Sequence, residues 1–342
     1  MDALRAVAIT GVLLGHWLVT AVVVDDAGQL RGDSPLRAMP VFTPVSWLLQ
    51  TLAVFLLVGG YVGARSYRAR DGGYWPWLFR RLARLFRPVA AVLGVWGFAV
   101  VALLVAGAPD QSIRTLVTLV LSPLWFLMVF GLLTVATPVV SRLGPWSAGL
   151  ALAAVAVCDT ARFALDGPAW LGWCNVVAGW LVPFGLGVAW SVGGLPERRP
   201  AAALAVGGVL GTAVLILWCG YPASMVGIPG ARVSNLNPPT LAAVAFGLAQ
   251  CGLVALVHAP LRRAMRRPVG WAMVAVVNLS AMTVFLWHQT ALLVVTAVGL
   301  LLGRLPGLHT SPDSYGWMLA RLGWLPVFMA VLIILVRSFR RV

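Results

Sequence analysis

Apolar stretches near twenty residues recur along the whole chain, each closed by a short cluster of arginine, glycine, proline or tryptophan. Runs of that length match a hydrocarbon core roughly 30 Å thick when wound as helix. Together with their breakers they predict ten membrane helices, over 6–24, 45–63, 88–107, 115–140, 147–165, 173–192, 201–221, 240–258, 271–302 and 317–336. The ninth run is long enough that its start lies at the membrane surface or the helix tilts strongly. The first run is too long for the apolar core of a leader peptide and no A-x-A site follows it, so it reads as the first span. The expected fold is an all-α polytopic membrane protein, with residues 1–342 forming one membrane-embedded domain.

Composition agrees with the pattern. The chain is 61% hydrophobic and 10% charged, where a soluble domain carries about 25% charged residues. Charge then adds an orientation. All 25 basic residues are arginine, and with the N-terminus inside, 18 of them fall in inner segments against three acids, Asp2, Asp71 and Glu197. The outer segments hold the other seven against seven acids, including Asp25, Asp26, Asp159 and Asp166. The positive-inside rule counts arginines, so both termini are expected on the cytoplasmic side. Topology thus accounts for most of the net charge of +15, and the expected partner is a lipid bilayer, with no nucleic acid. The four cysteines lack metal-ligand spacing and read as isolated apolar thiols, although Cys158 and Cys174 flank one loop and suit a disulfide.

One basic segment exceeds what topology requires. In RSYRARDGGYWPWLFRRLARLFRP, Arg81, Arg84 and Arg87 lie three apart, so a helix would spread them over a moderate arc. The segment reads first as a lipid-headgroup anchor, and alternatively as a site forking around phosphates.

Chemistry inside the membrane is sparse. His16 is the only ionisable side chain between Ala6 and Val24. Arg5 precedes it by eleven residues, about 20° past three helical turns, which puts both on one face about 16 Å apart along the axis. An ionisable side chain at such depth faces a bundle interior or a watery cavity, or is satisfied by an interhelical hydrogen bond. His288 lies at comparable depth in the ninth span, so the two histidines could line one cavity. Gln50, Asn278 and Trp125 are further candidates for a cavity wall. His258 and His309 fall at a helix end and in an outer loop, and the pair Gly59-Gly60 suits close helix packing or backbone approach to a ligand. No G-x-S-x-G, H-E-x-x-H, Walker-type loop, Rossmann fingerprint or Cys/His cluster is present. No metal and no bound cofactor is therefore expected. A histidine base requires only a partner with a proton to lose. Proton-coupled transport or export would also employ buried His and Arg.

The motifs together resemble those of the acyltransferase-3 membrane proteins, O-acetyltransferases of bacterial surface polysaccharides and of some antibiotics. Arg5 with His16 matches the family's R-x10-H, and DALRAVAITGVLLGH is similar to its opening helix. FRRLARLFRP is similar to its R-x-x-R segment, carried here by Arg81 and Arg84. SPLWFLMVF is similar to its W-x-L segment, and VFLWHQTALL to its late Y-L-W-H segment. AVFLLVGGYVGARS looks like the glycine-pair segment of actinobacterial members. Where many members carry Glu, five residues after Trp125, this chain has Phe130.

The resemblance implies an acyl-CoA-dependent O-acyltransferase of the bacterial cytoplasmic membrane, with acetyl-CoA as co-substrate. Its phosphates would rest on Arg81 and Arg84, with Arg5 or Arg87. The thioester would reach His16, acting as general base or briefly taking the acyl group. The acceptor would be a hydroxyl of a carbohydrate or secondary metabolite.

Overall fold

The structure is a computed structural model and describes residues 1–194 and 197–339. Arg340 and Arg341, counted above among the inner cations, lie outside the described residues. Among the described residues, nine helices are long and apolar enough to cross a membrane, or ten when the bent pair Thr137–Leu143 and Trp146–Phe163 counts as one span.

The first span, α1 (Asp2–Val19), stops short of the expected Val24. The next residues form β1 (Ala21–Val24), paired antiparallel with β2 (Leu30–Asp33) in the register Ala21↔Asp33 to Val24↔Leu30. Hydropathy does not separate a valine-rich helix end from a strand. The turn between them supplies the strand's partner, because Asp25 Oδ1 accepts from the N–H groups of Ala27 and Gln29. At the same point Arg321 removes the helix's last carbonyls. Its guanidinium donates to the carbonyls of Trp17 and Thr20, and also to that of Gly307. Arg321, inside the tenth apolar run, is 0% exposed within the bundle, where its charge suits the negative end of α1.

Three predicted runs are broken helices. A short α2 (Pro35–Ala38) precedes the second run, which divides into α3 (Thr43–Leu49) and α4 (Leu52–Arg68) at Gln50–Thr51. The break is held from outside: Thr51 Oγ1 donates to the Ala8 carbonyl at 2.7 Å, and the Gln250 amide donates to the Gln50 carbonyl. The next helix, α5 (Tyr74–Val105), starts well before residue 88, so Arg80, Arg81, Arg84 and Arg87 sit on the helix itself. The fourth run divides into α6 (Asp110–Leu121), α7 (Leu124–Val135) and α8 (Thr137–Leu143), with Pro123 at the first break. The chain then bends by 102° into α9 (Trp146–Phe163).

After α10 (Cys174–Trp190), α11 (Arg198–Leu217) and α12 (Leu241–Ala264), the long ninth run separates into α13 (Pro268–Leu279) and α14 (Ala281–Leu300). Side chains of Asn278 and Ser280 donate back to the carbonyls of Val274 and Val276 there, competing with helix continuation. α13 contributes no buried residue, whereas α14 is buried along most of its length. The last helix is α15 (Tyr315–Phe339).

Glycine fixes the tightest crossing. A Cβ on Gly60 would overlap the Phe184 carbonyl oxygen, and one on Gly187 the Leu57 carbonyl oxygen, so α4 and α10 meet backbone to backbone. Gly59 makes room for the Phe130 ring. Gly60 therefore serves packing, whereas Gly59 also lines a cavity beside the Phe130 ring. The four cysteines are free thiols, with Cys158 beside Cys174.

Candidate active site

The site is built on α1 and the middle of α14. Three consecutive polar residues of α14, His288, Gln289 and Thr290, fan out at about 100° each and are 1%, 1% and 4% exposed. Thr290 Oγ1 accepts from Trp96 of α5 at 3.0 Å. His288 donates its Nδ1–H to the Phe285 carbonyl at 2.6 Å, which leaves Nε2 bare and buried. Its ring lies 4.9 Å from that of His16, centroid to centroid. Trp17 Nε1 donates to the His288 carbonyl at 2.9 Å, locking α1 to α14 at this level.

Gln289 reaches His16 directly. Its amide meets His16 Nδ1 at 3.1 Å, with the nitrogen assigned as the near atom, while Oε1 is buried without a partner. A half-turn of the amide exchanges the two atoms at the same heavy-atom geometry. In that orientation Oε1 accepts from an Nδ1–H, and His16 Nε2 carries the free lone pair.

His16 lines a cavity of about 280 Å³ together with Gln50, Ser122, Trp125 and Gln289. Two of the broken spans converge on it, at 50–51 and at 122–123. Non-helical backbone at membrane depth is tolerated where it is buried in protein or lines a cavity, so both breaks belong to the site. The cavity extends to Asp33 and Ser34 at the end of β2 and to the 226–229 loop. That loop layer is pinned by buried polar groups. Asn235 Nδ2 donates to the carbonyls of Pro222 and Ser224, while Asp159 accepts from Asn175, Tyr221 and the Leu241 N–H. Asn235 is thus a loop clamp.

Toward the opposite, arginine-rich end lies a second cavity, of about 330 Å³, lined by Arg5, Arg81, Arg84 and Asn278. Ile9 of α1 lines this cavity and Val12 the first, so Arg5, Ile9, Val12 and His16 form one stripe along α1. The predicted common face of Arg5 and His16 is present. The two cavities share Phe126 and Phe285, whose ring centroids are 5.8 Å apart. Phe55 and Phe130 extend this septum, at 5.3 Å from Phe126 to Phe55 and 5.6 Å from Phe55 to Phe130. Phe130, in place of the family's frequent Glu, makes this wall wholly apolar.

Seven of the nine residues singled out from sequence surround these two cavities. Arg5, Arg81, Arg84 and Asn278 meet at one, and His16, Gln50 and Trp125 at the other. Two do not. Arg87 lies with Arg80 in a groove along the outer face of α5, because three residues per step rotates successive side chains by about 300° and carries the third off the inner face. His288 lines neither cavity and backs His16 from within the protein, because Trp17 and Phe285 hold it behind the site. Gln289 and the Phe126/Phe285 septum were missed. Gln289 was visible as a second polar residue in VFLWHQTALL, but its contact with α1 is a tertiary fact.

The family profile described as an acyltransferase domain matches residues 1–338. No curated protein and no solved structure gave a match. A polytopic bundle carrying Arg5 and His16 on one stripe of its first helix and Arg81 and Arg84 on α5, matched end to end by that profile, belongs to the acyltransferase-3 family of membrane acyltransferases.

Proposed function

We propose that the protein transfers an acyl group, acetyl in the first instance, from acyl-CoA to a hydroxyl of a carbohydrate or small metabolite. The carrying observation is the pair of cavities that meet end to end at the Phe126/Phe285 septum, cationic on one side and histidine-bearing on the other. Acyl-CoA occupies the arginine end, its phosphates on Arg5, Arg81 and Arg84. Its pantetheine arm follows the α1 stripe and displaces the septum rings to bring the thioester beside His16. By the positive-inside rule that end faces the cytoplasm of a bacterial cell.

The acceptor comes from the hairpin end. Trp125 offers it a flat apolar face, with Gln50, Ser122 and Asp33 as polar partners. His16 Nε2 takes the acceptor's hydroxyl proton as its oxygen attacks the thioester carbonyl carbon. The C–S bond then breaks, and the proton leaves with the CoA thiol. Gln289 Oε1 holds the His16 Nδ1–H throughout, so the lone pair stays on Nε2.

Broken spans around one cavity also suit a transporter, but the family match favours acyl transfer. Membranes containing the protein should pass label from radiolabelled acetyl-CoA to an acceptor, and His16→Ala and Arg81→Ala should lose that transfer at unchanged protein level. Full transfer by correctly inserted His16→Ala refutes the assignment of the base.

A further inference from the structure

The donor cavity offers Arg5, Arg81 and Arg84 to phosphates, and its aromatic rings belong to the septum. An adenine ring and a ribose 3′-phosphate have no further partners there. Two adjoining features could take them. One is the groove along α5 that includes Phe79, Arg80 and Arg87. All of its lining comes from a single helix, with no second element to close over a planar base. It shares only Arg84 with the donor cavity.

The other is a cavity of about 610 Å³ between α1, α12 and α13. It shares two residues with the donor cavity, Arg5 and Asn278, so the two spaces abut along α1. Asn278 Nδ2 donates to the Asp2 carbonyl at 2.9 Å and ties α13 to α1 at this boundary. Beyond it the walls carry the chemistry of a nucleotide site. Arg262 and His258 of α12 face the cavity, with Asp2 the one carboxylate among its lining residues. Trp271 of α13 lines it with its side chain largely exposed, and Leu261 and Met265 provide further apolar surface. α13 has no residue in the core, an arrangement with no evident packing use for a tryptophan there.

We infer that this cavity is the nucleotide subsite of the acyl-CoA donor: Trp271 stacks on the adenine, Arg262 and His258 bind the 3′-phosphate, and Arg5 joins the pyrophosphate to the donor cavity. The inference rests on acyl-CoA being the donor. It assigns the α5 groove with Arg80 and Arg87 to lipid headgroups instead.

Equilibrium binding tests this with the full chain in phosphatidylcholine nanodiscs and CoA, dephospho-CoA and pantetheine as probes; no acceptor is needed. Trp271→Ala should weaken CoA about tenfold, the usual scale for loss of one base–aromatic stack, and leave pantetheine binding unchanged. Arg262→Ala should abolish the preference for CoA over dephospho-CoA. Arg80→Ala and Arg87→Ala should bind all three probes as wild type does. Because Trp271 is outside the core, unchanged pantetheine binding also reports an intact fold.

Wild-type CoA affinity in both Trp271→Ala and Arg262→Ala overturns the inference and leaves acyl-CoA as donor untouched. So does loss of CoA binding in Arg80→Ala or Arg87→Ala. Competition by phosphatidylglycerol that Trp271→Ala relieves, with CoA affinity unaltered, makes the cavity a lipid site and also overturns it. Absence of CoA binding by wild type, by contrast, removes the acyl-CoA reading itself.

Discussion

Replacing Gln289 by methionine tests the proposed chemistry most directly. The change keeps volume and removes one polar contact, the 3.1 Å hydrogen bond to His16 Nδ1. In the resting enzyme that bond joins two neutral groups and is worth about 1 kcal/mol. In the transition state His16 becomes an imidazolium, and the same bond to Oε1 becomes charge-assisted, worth about 1.5–3 kcal/mol. Only the difference slows the chemical step, and loss of tautomer control adds to it. That difference, about 0.5–2 kcal/mol, corresponds to a rate factor of about 2–30. We therefore expect kcat for acetyl transfer to fall by about that factor, with KM for acetyl-CoA unchanged, since Gln289 does not line the arginine cavity.

Gln289→Glu separates orientation from packing. A carboxylate can only accept, so it enforces the Nδ1–H tautomer and should retain transfer near the wild-type rate. It should also displace the pH–rate profile, which a filler of space would not do. Initial rates of label transfer from radiolabelled acetyl-CoA, normalised to folded protein, measure both variants. A methionine variant with wild-type kcat, or a glutamate variant as slow as the methionine one, refutes the assigned role.

Phe285→Val thins the septum and should raise acceptor-independent hydrolysis of acetyl-CoA several-fold relative to transfer; an unchanged ratio of free acetate to product would count against the septum as a barrier. Arg321→Met strands the carbonyls of Trp17, Thr20 and Gly307 and should destabilise the protein by about 2–5 kcal/mol, seen as a lower thermal midpoint in detergent. Gly59→Ala should destabilise through its clash with the Phe130 ring, and Phe130→Leu in the same chain should recover part of the loss, a coupling readable in a double-mutant cycle. His309 accepts from the Leu305 N–H and donates to the Thr296 carbonyl, and burial holds its pKa below the ordinary 6.5. The unfolded chain thus binds the proton first as pH falls below about 6.5, so His309's contribution is full above that pH and is lost as pH falls through the lower folded value. His309→Gln should flatten that part of the thermal-midpoint profile between pH 7.5 and 5.

Hydropathy alone determined that the chain is a helical membrane bundle, because each span must satisfy its own backbone in hydrocarbon and so declares itself by length. Helical period alone determined that Arg5 and His16 share a face, since α1 is continuous between them. The same reasoning failed where a helix is interrupted from outside. Gln50–Thr51 reads as helix interior until Ala8 and Gln250 supply its hydrogen bonds. The strand β1 reads as helix until β2 pairs with it.

Tertiary structure alone decided which polar residues meet. His288 and Gln289 are neighbours in sequence, yet about 100° of helical rotation puts one behind His16 and the other on its Nδ1. Arg321 entered only the charge count until the end of α1 gave it carbonyls. A local period fixes direction about one helix axis, whereas a site needs the relative rotation of several axes, and only the packed bundle sets that.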